Sequence, residues 1–321
     1  MSTAKAASST SRSITTFIWL GVLAQMIWGA YPVTAKRAMM EVPKFSLLFF
    51  ATFATMLAGL VLIHYTEERP WRQVFSLMFR TKALWGLAFF VIARSVSNLL
   101  AVSMTRATWV QLIYLMTPFM VAILGSLFFG TRTPRYTYRA LLISTLGAAM
   151  VLIEDWSDIL AGFTPKDGWG LLIATFSMTS LATYFLMIRR NRQGNIGRGM
   201  ILFQQSLVMT STYLVLTLVT GEDWGRWATA SPQGWLAAIA IITIIQIGGN
   251  TSQITAIGGA SPALITSLMP LRLISALILG WLILGEQLHT VWQWSGALIV
   301  LVTVSVYLWL QSRDAFKSAL G

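Results

Sequence analysis

The sequence predicts an all-α integral membrane protein: ten transmembrane helices arranged as two inverted five-helix repeats around a central cavity. Composition, the sorting of charge along the chain and a weak internal repeat predict it. Of the 321 residues, 56% are hydrophobic and 11% are charged, with a mean hydropathy of +0.68. A soluble domain gives about a quarter of its residues to charge, so the outer surface of this one must face lipid.

A helix needs roughly 20 apolar residues to cross a ~30 Å hydrocarbon core. Such runs are expected near residues 17–38, 45–65, 83–104, 107–129 and 135–153, then near 168–190, 199–220, 234–257, 260–284 and 290–311. Residues 1–13, rich in Ser, Thr and Ala, are expected to form a disordered cytoplasmic tail, with a second cytoplasmic tail at 313–321.

With both termini in the cytoplasm, 15 of the 23 basic residues fall inside and 6 outside, leaving Arg94 and Arg272 near mid-span. Eight acids fall outside and three inside, with none mid-span. That is the positive-inside pattern. Trp19, Trp85, Trp109, Trp169, Trp235, Trp292 and Trp309 lie near span ends, where indoles prefer to sit, whereas Trp28 lies mid-span. The formal charge of +12 is therefore read as cytoplasmic loop charge rather than a nucleic-acid surface. There is no cysteine, and the two histidines, His64 and His289, fall on opposite sides, so neither a metal nor another cofactor is expected.

A shift of 153 residues lays Ile27–Tyr31 over Ser180–Tyr184, Lys36-Arg37 over Arg189-Arg190 and Ala107-Thr108 over Ala260-Ser261. The repeats are expected over 14–156 and 157–312. Five spans in each makes the second copy enter from the opposite side, the architecture that underlies alternating access.

Trp28-Gly29, Pro32, Thr105-Arg106-Ala107, Thr117-Pro118 and Gly130 in the first half form a family pattern. Ala182, Tyr184, Arg189-Arg190, Gly259-Ala260-Ser261, Gly280-Trp281 and Leu284-Gly285-Glu286 continue it in the second. In these features the chain resembles the ten-span EamA-type exporters of the drug/metabolite transporter superfamily. It departs at Gly130-Thr131, where the pattern has Gly-Glu, and at Leu181, where it has Trp. The resemblance implies a basket of helices 1–4 and 6–9 around the cavity, with 5 and 10 peripheral. It implies outward movement of amino acids, their derivatives, drugs or other small metabolites.

An ionised group at mid-membrane is costly and marks a functional site by default. Arg94 and Arg272 are the two, with no acid mid-span to neutralise them, and a guanidinium binds a carboxylate or phosphate bidentately. Arg94 and Asn98 share one helix face, as do Gln111 and Tyr114, and Gln246, Asn250 and Gln253. Trp28 and Tyr184 hold near-equivalent places in the two repeats. The expected substrate site is therefore Trp28, Arg94, Asn98, Gln111, Tyr114, Tyr184, Gln246, Asn250 and Arg272, with helix packing as the competing role for each. The expectation is a non-enzymatic secondary or facilitative carrier in the inner membrane, monomeric or a weak homodimer. Its partners are the bilayer and a small-molecule substrate. A passive channel or a membrane-embedded enzyme is the alternative, but no nucleotide-binding loop or cluster of acids with histidine is present to favour ATP-driven transport or catalysis.

Overall fold

The computed structural model describes residues 2–66, 70–129, 136–152, 163–192, 196–259, 268–286 and 288–320. Among these there is helix and no strand. The chain runs α1 Ser2–Met39, α2 Lys44–Thr66, α3 Trp71–Arg80, α4 Lys82–Met104, α5 Ala107–Tyr114, α6 Thr117–Phe129 and α7 Tyr136–Leu152. It continues through α8 Pro165–Arg192, α9 Arg198–Val219, α10 Arg226–Thr229, α11 Pro232–Ala240, α12 Asn250–Gly259, α13 Pro270–Leu279 and α14 Val291–Leu320. Two π-helical segments, Ile241–Gly249 and Gly280–Leu284, extend α11 and α13.

Seven helices among the described residues are long and apolar enough to span a bilayer: Thr16–Met39, Lys44–Tyr65, Leu84–Met104, Trp109–Phe128, Pro165–Ile188, Gly199–Val219 and Pro232–Ala256. Pro270–Leu284 and Val291–Tyr307 are apolar but shorter, and α7 has 17 residues. By position these three fall in the runs expected near 135–153, 260–284 and 290–311, but none gives an apolar stretch of span length among the described residues. The first part of the expected ninth span, 260–267, lies outside the described residues.

Helix α1 begins at Ser2, so residues 2–13 prolong the first span where a disordered tail was expected. Their alanines favour helix and no Gly or Pro interrupts them. The connector after α2 also holds an unexpected helix. In α3, Val74 and Met78 are buried while Trp71, Phe75 and Phe79 face outward beside Arg72 and Arg80, the pattern of a helix lying in the membrane interface.

The principal contacts join the two halves: α2 with α9, α4 with α8, α7 with α14, and α1 with α12 and α13. Small residues allow close approach. Gly147 on α7 faces Gly296 on α14, where an added Cβ on Gly296 would come within 2.7 Å of Met150 Cβ. With no hydrophobic force between helices in lipid, such close packing is what holds them together.

Prolines shape the chamber helices by what they fail to bond. Pro32 has no N–H to give the carbonyl four residues earlier, that of Trp28, and Gln111 Nε2 donates to that oxygen at 3.4 Å instead. Pro118 likewise releases the Tyr114 carbonyl, which accepts from Thr117 Oγ1. The expected fourth span is accordingly two helices with a turn at Leu115-Met116.

On one face of the bundle the halves are tied by charge. Gly285, at φ +68°, ends the second π segment with Glu286 N–H bonded back to the Gly280 carbonyl at 3.0 Å. This turn carries Glu286 to Lys36 Nζ at 2.9 Å, where Lys36 also reaches the Thr105 carbonyl at 3.4 Å. Nearby, Glu41 accepts from Ser231 N–H at 2.6 Å and pairs with Arg37 at 2.7 Å. Glu222 accepts from the N–H groups of Phe45 and Ser46 at 2.9 and 2.8 Å, which places an acid at the start of α2.

Candidate functional site

A polar chamber lies between α1, α2, α4, α9 and the first π segment. Its walls are Trp28 and Tyr31 of α1, Thr52 of α2, Val91, Arg94, Ser95 and Asn98 of α4, Gln205, Ser206 and Met209 of α9, and Gln246 and Asn250. Both halves of the chain contribute. The π segment directly precedes Asn250, and π-bulges recur at functional sites. The Asn250 amide donates to the Gln246 carbonyl at 2.7 Å and to its side-chain oxygen at 3.1 Å, which fixes the pair as one unit.

Arg94 carries the charge of this chamber. It is 9% exposed, and its guanidinium lies 4.8 Å from the Trp28 ring centre, a cation–π contact. Trp28 in turn packs on the backbone at Gly249, where an added Cβ would sit 3.3 Å from the indole nitrogen. Among the described residues no acid lines the chamber. Buried polar atoms normally find partners, yet Arg94 Nε, Asn98 Oδ1, Gln111 Oε1 and Trp28 Nε1 have no hydrogen-bond partner. Three of these orphans, on Trp28, Arg94 and Asn98, belong to residues of the chamber wall.

The surrounding hydroxyls are anchored to helices. Tyr114 OH lies 2.5 Å from Ser177 Oγ, which donates to the Arg94 carbonyl at 2.6 Å, so α5, α8 and α4 are locked together there. Tyr184 OH donates to Gln205 at 2.8 Å and Tyr213 OH to Ser95 at 2.7 Å.

Of the expected site residues, Trp28, Arg94, Asn98, Gln246 and Asn250 therefore line the chamber. Gln111, Tyr114 and Tyr184 stand directly behind it, each bonded to a neighbour. Arg272 is placed elsewhere. It was expected to be unpaired, but its Nε donates to Gln25 of α1 at a close helix crossing, and it does not line the chamber. Gln253 is buried outside the lining. Sequence reasoning missed Tyr31, Thr52, Ser95, Gln205, Ser206 and Met209. The run Gln204-Gln205-Ser206 within an apolar span was a usable signal. Thr52 gave none, because a mid-helix threonine is satisfied by its own i−4 carbonyl, as Thr52 is by Leu48 at 2.8 Å.

The chamber is nearly closed, with about 10 Å³ open to the centre of a water molecule, roughly one water. A larger cavity of about 540 Å³ opens between α13 and α14, lined by Ile274, Leu277, Ile278, Trp281, Leu288, Trp294 and Leu301. Those walls are apolar, and its one ionised group, Glu286, is held by Lys36. The polar chamber is thus the candidate site.

The EamA-like transporter family model matches residues 15–153 and again 168–309, most of the chain in two copies. The chain belongs to the EamA-like transporter family. Membership makes this protein, helical and without strands among its described residues, a multi-pass membrane transporter. A search of curated protein sequences finds no match. A solved crystal structure of a protein shares the fold of this transporter with a TM-score of 0.63, at 16% identity, over 93% of this chain and 98% of the other.

Proposed function

We propose that this EamA-like transporter is a secondary or facilitative carrier that exports small amphipathic metabolites, carboxylate-bearing ones such as amino acids, by alternating access. The observation that carries the reading is the Arg94 chamber: polar, nearly closed, and walled by helices from both halves of the chain. A passive channel needs a continuous path, and a chamber with room for about one water offers none in this conformation.

Ten spans in two inverted repeats fit the pairing of helices. Contacts of α4 with α8 are answered by those of α1 with the Ile241–Gly249 segment, and contacts of α1 with α13 by those of α6 with α8. These are the pairs that a two-fold axis in the membrane plane would exchange. The charge sorting supports cytoplasmic termini in an inner membrane, which puts the Lys36–Glu286 cluster on the outer face. The duplicated unit encloses its own pathway, in keeping with a monomer or weak homodimer.

The test is uptake into proteoliposomes from a panel of amino acids, organic acids and cationic drugs. A carrier gives saturable uptake stimulated by counterflow. Flux that rises linearly with concentration and ignores counterflow contradicts the proposal.

A further inference from the structure

We infer that, within the carboxylate-bearing class, the Arg94 chamber binds small organic anions of net negative charge, acidic amino acids among them, in preference to neutral zwitterions and cations, and that the carrier works by exchange. The inference rests on the reading of this chamber as the transport site.

The first argument is charge. The guanidinium of Arg94 is buried and no carboxylate lines the chamber with it. The second buried guanidinium, that of Arg272, sits at the α1–α13 crossing bonded to the neutral Gln25 and brings no negative charge. Tyr31 in the wall, and Tyr114, Tyr184 and Tyr213 bonded at or behind it, offer hydroxyls rather than a carboxylate. An ammonium group placed here would lose its hydration beside the Arg94 cation, with only neutral oxygens in return. A carboxylate would regain in the chamber what it loses from water.

The second argument is the set of orphaned atoms. Arg94 Nε and Asn98 Oδ1 project from the same face of α4, one turn apart, and neither has a partner. Arg94 Nε is a donor and calls for a carboxylate oxygen. Asn98 Oδ1 is an acceptor and calls for a hydrogen donor on the same molecule. A hydroxyl or an amide supplies that hydrogen without adding positive charge. The Trp28 face has Arg94 over it, so the cation of this cation–π pair belongs to the protein and not to the substrate.

Exchange follows from the same charge. When the chamber is open to water, the guanidinium is hydrated whether or not an anion is bound. Closing over it strips that water, and the anion-loaded site replaces the lost solvation with a bidentate ion pair. The empty site has no acid with which to do so. The closed intermediate is therefore disfavoured for the empty carrier alone, and its return across the membrane is expected to be at least tenfold slower than that of the loaded carrier.

The experiment has two arms on the full chain. In detergent, melting temperature is measured with L-malate, succinate and L-lactate as anions, L-alanine as zwitterion and L-lysine as cation. The anions are expected to raise it and the other two to leave it unchanged, with the anion response weakened at least tenfold in apparent affinity by Arg94→Gln and, for the hydroxy acids L-malate and L-lactate, by Asn98→Ala. The comparison within the wild-type protein stands even if one variant fails to fold. In proteoliposomes, efflux of each labelled anion that binds is expected to be at least tenfold faster with the same unlabelled anion outside than with none, and Arg94→Gln is expected to bring that ratio toward one. Stabilisation by alanine or lysine equal to that by the anions, or none by any anion, overturns the anion site. Efflux that is as fast without external anion overturns exchange. Binding without flux in either condition also overturns exchange, and with it the carrier reading, while leaving the anion site in place.

Discussion

At Gly29 the backbones of α1 and α13 come close together, and Gly29→Ala is expected to cost more than its single methyl group implies. A Cβ built on Gly29 lies 2.5 Å from the Arg272 carbonyl oxygen, 2.8 Å from Arg272 Cα and 2.8 Å from Ser275 Cβ. Two of those atoms are backbone and cannot rotate away. Restoring an ordinary 3.4 Å contact with the carbonyl requires the helices to part by 3.4 − 2.5 = 0.9 Å. Overpacking of this kind costs about 1–3 kcal/mol. The same displacement pulls Gln25 from the Arg272 guanidinium, and a hydrogen bond to a charged group is worth about 1.5–3 kcal/mol. Together these give a destabilisation of about 2.5–6 kcal/mol, and Trp28, the adjacent residue of α1, moves with the helix. The assay is thermal unfolding of the detergent-purified protein, with Gly168→Ala as control. The Cβ of that control would meet only Phe163 at 3.6 Å, an ordinary contact, and its effect is expected within about 0.5 kcal/mol. If Gly29→Ala melts with the wild type, the crossing is not as close as described and the reasoning fails.

Two further outcomes are expected. Lys36 and Glu286 are 27% and 12% exposed, so solvent screens their pair only in part, and a double-mutant cycle should return a coupling of about 1 kcal/mol. A coupling of zero would remove this pair as a tie between the halves. Hydrogen bonds from Ser231, and then Arg37, hold the Glu41 carboxyl below its ordinary pKa of about 4.5. A depressed folded-state pKa gives stability that is complete above the unfolded value and lost as pH falls through the folded one. Melting temperature should therefore drop below about pH 4.5, and Glu41→Gln should reduce that slope. An identical acid limb in the variant would contradict the assignment.

What was legible in the sequence follows from how strongly each feature is coded. Membrane helices were readable because satisfying every backbone group in lipid leaves few alternatives. Arg94 was readable because an ionised side chain amid Phe89, Phe90 and Leu99 has no cheap explanation. Arg272 carried the same signal and yet belongs to a helix crossing, since sequence alone could not show Gln25 opposite it, 247 positions away. The π segment before Asn250 was hidden because Ile241–Gly249 reads simply as part of an apolar span, and hydropathy does not distinguish a π turn from an α turn. The freed carbonyls of Trp28 and Tyr114 were implicit in Pro32 and Pro118. Only the fold showed that Gln111 and Thr117 answer them.

The central claim is that the chamber around Arg94 opens to each side of the membrane in turn. The chain has no cysteine, so Met209→Cys puts a single thiol in the chamber wall without touching its polar groups. The direct measurement is the reaction of that thiol, in oriented vesicles, with a membrane-impermeant maleimide added from one face and then from the other. Alternating access predicts labelling from either face, and no maleimide flux through the protein. Labelling from neither face, or from one face only under every condition, would contradict the account.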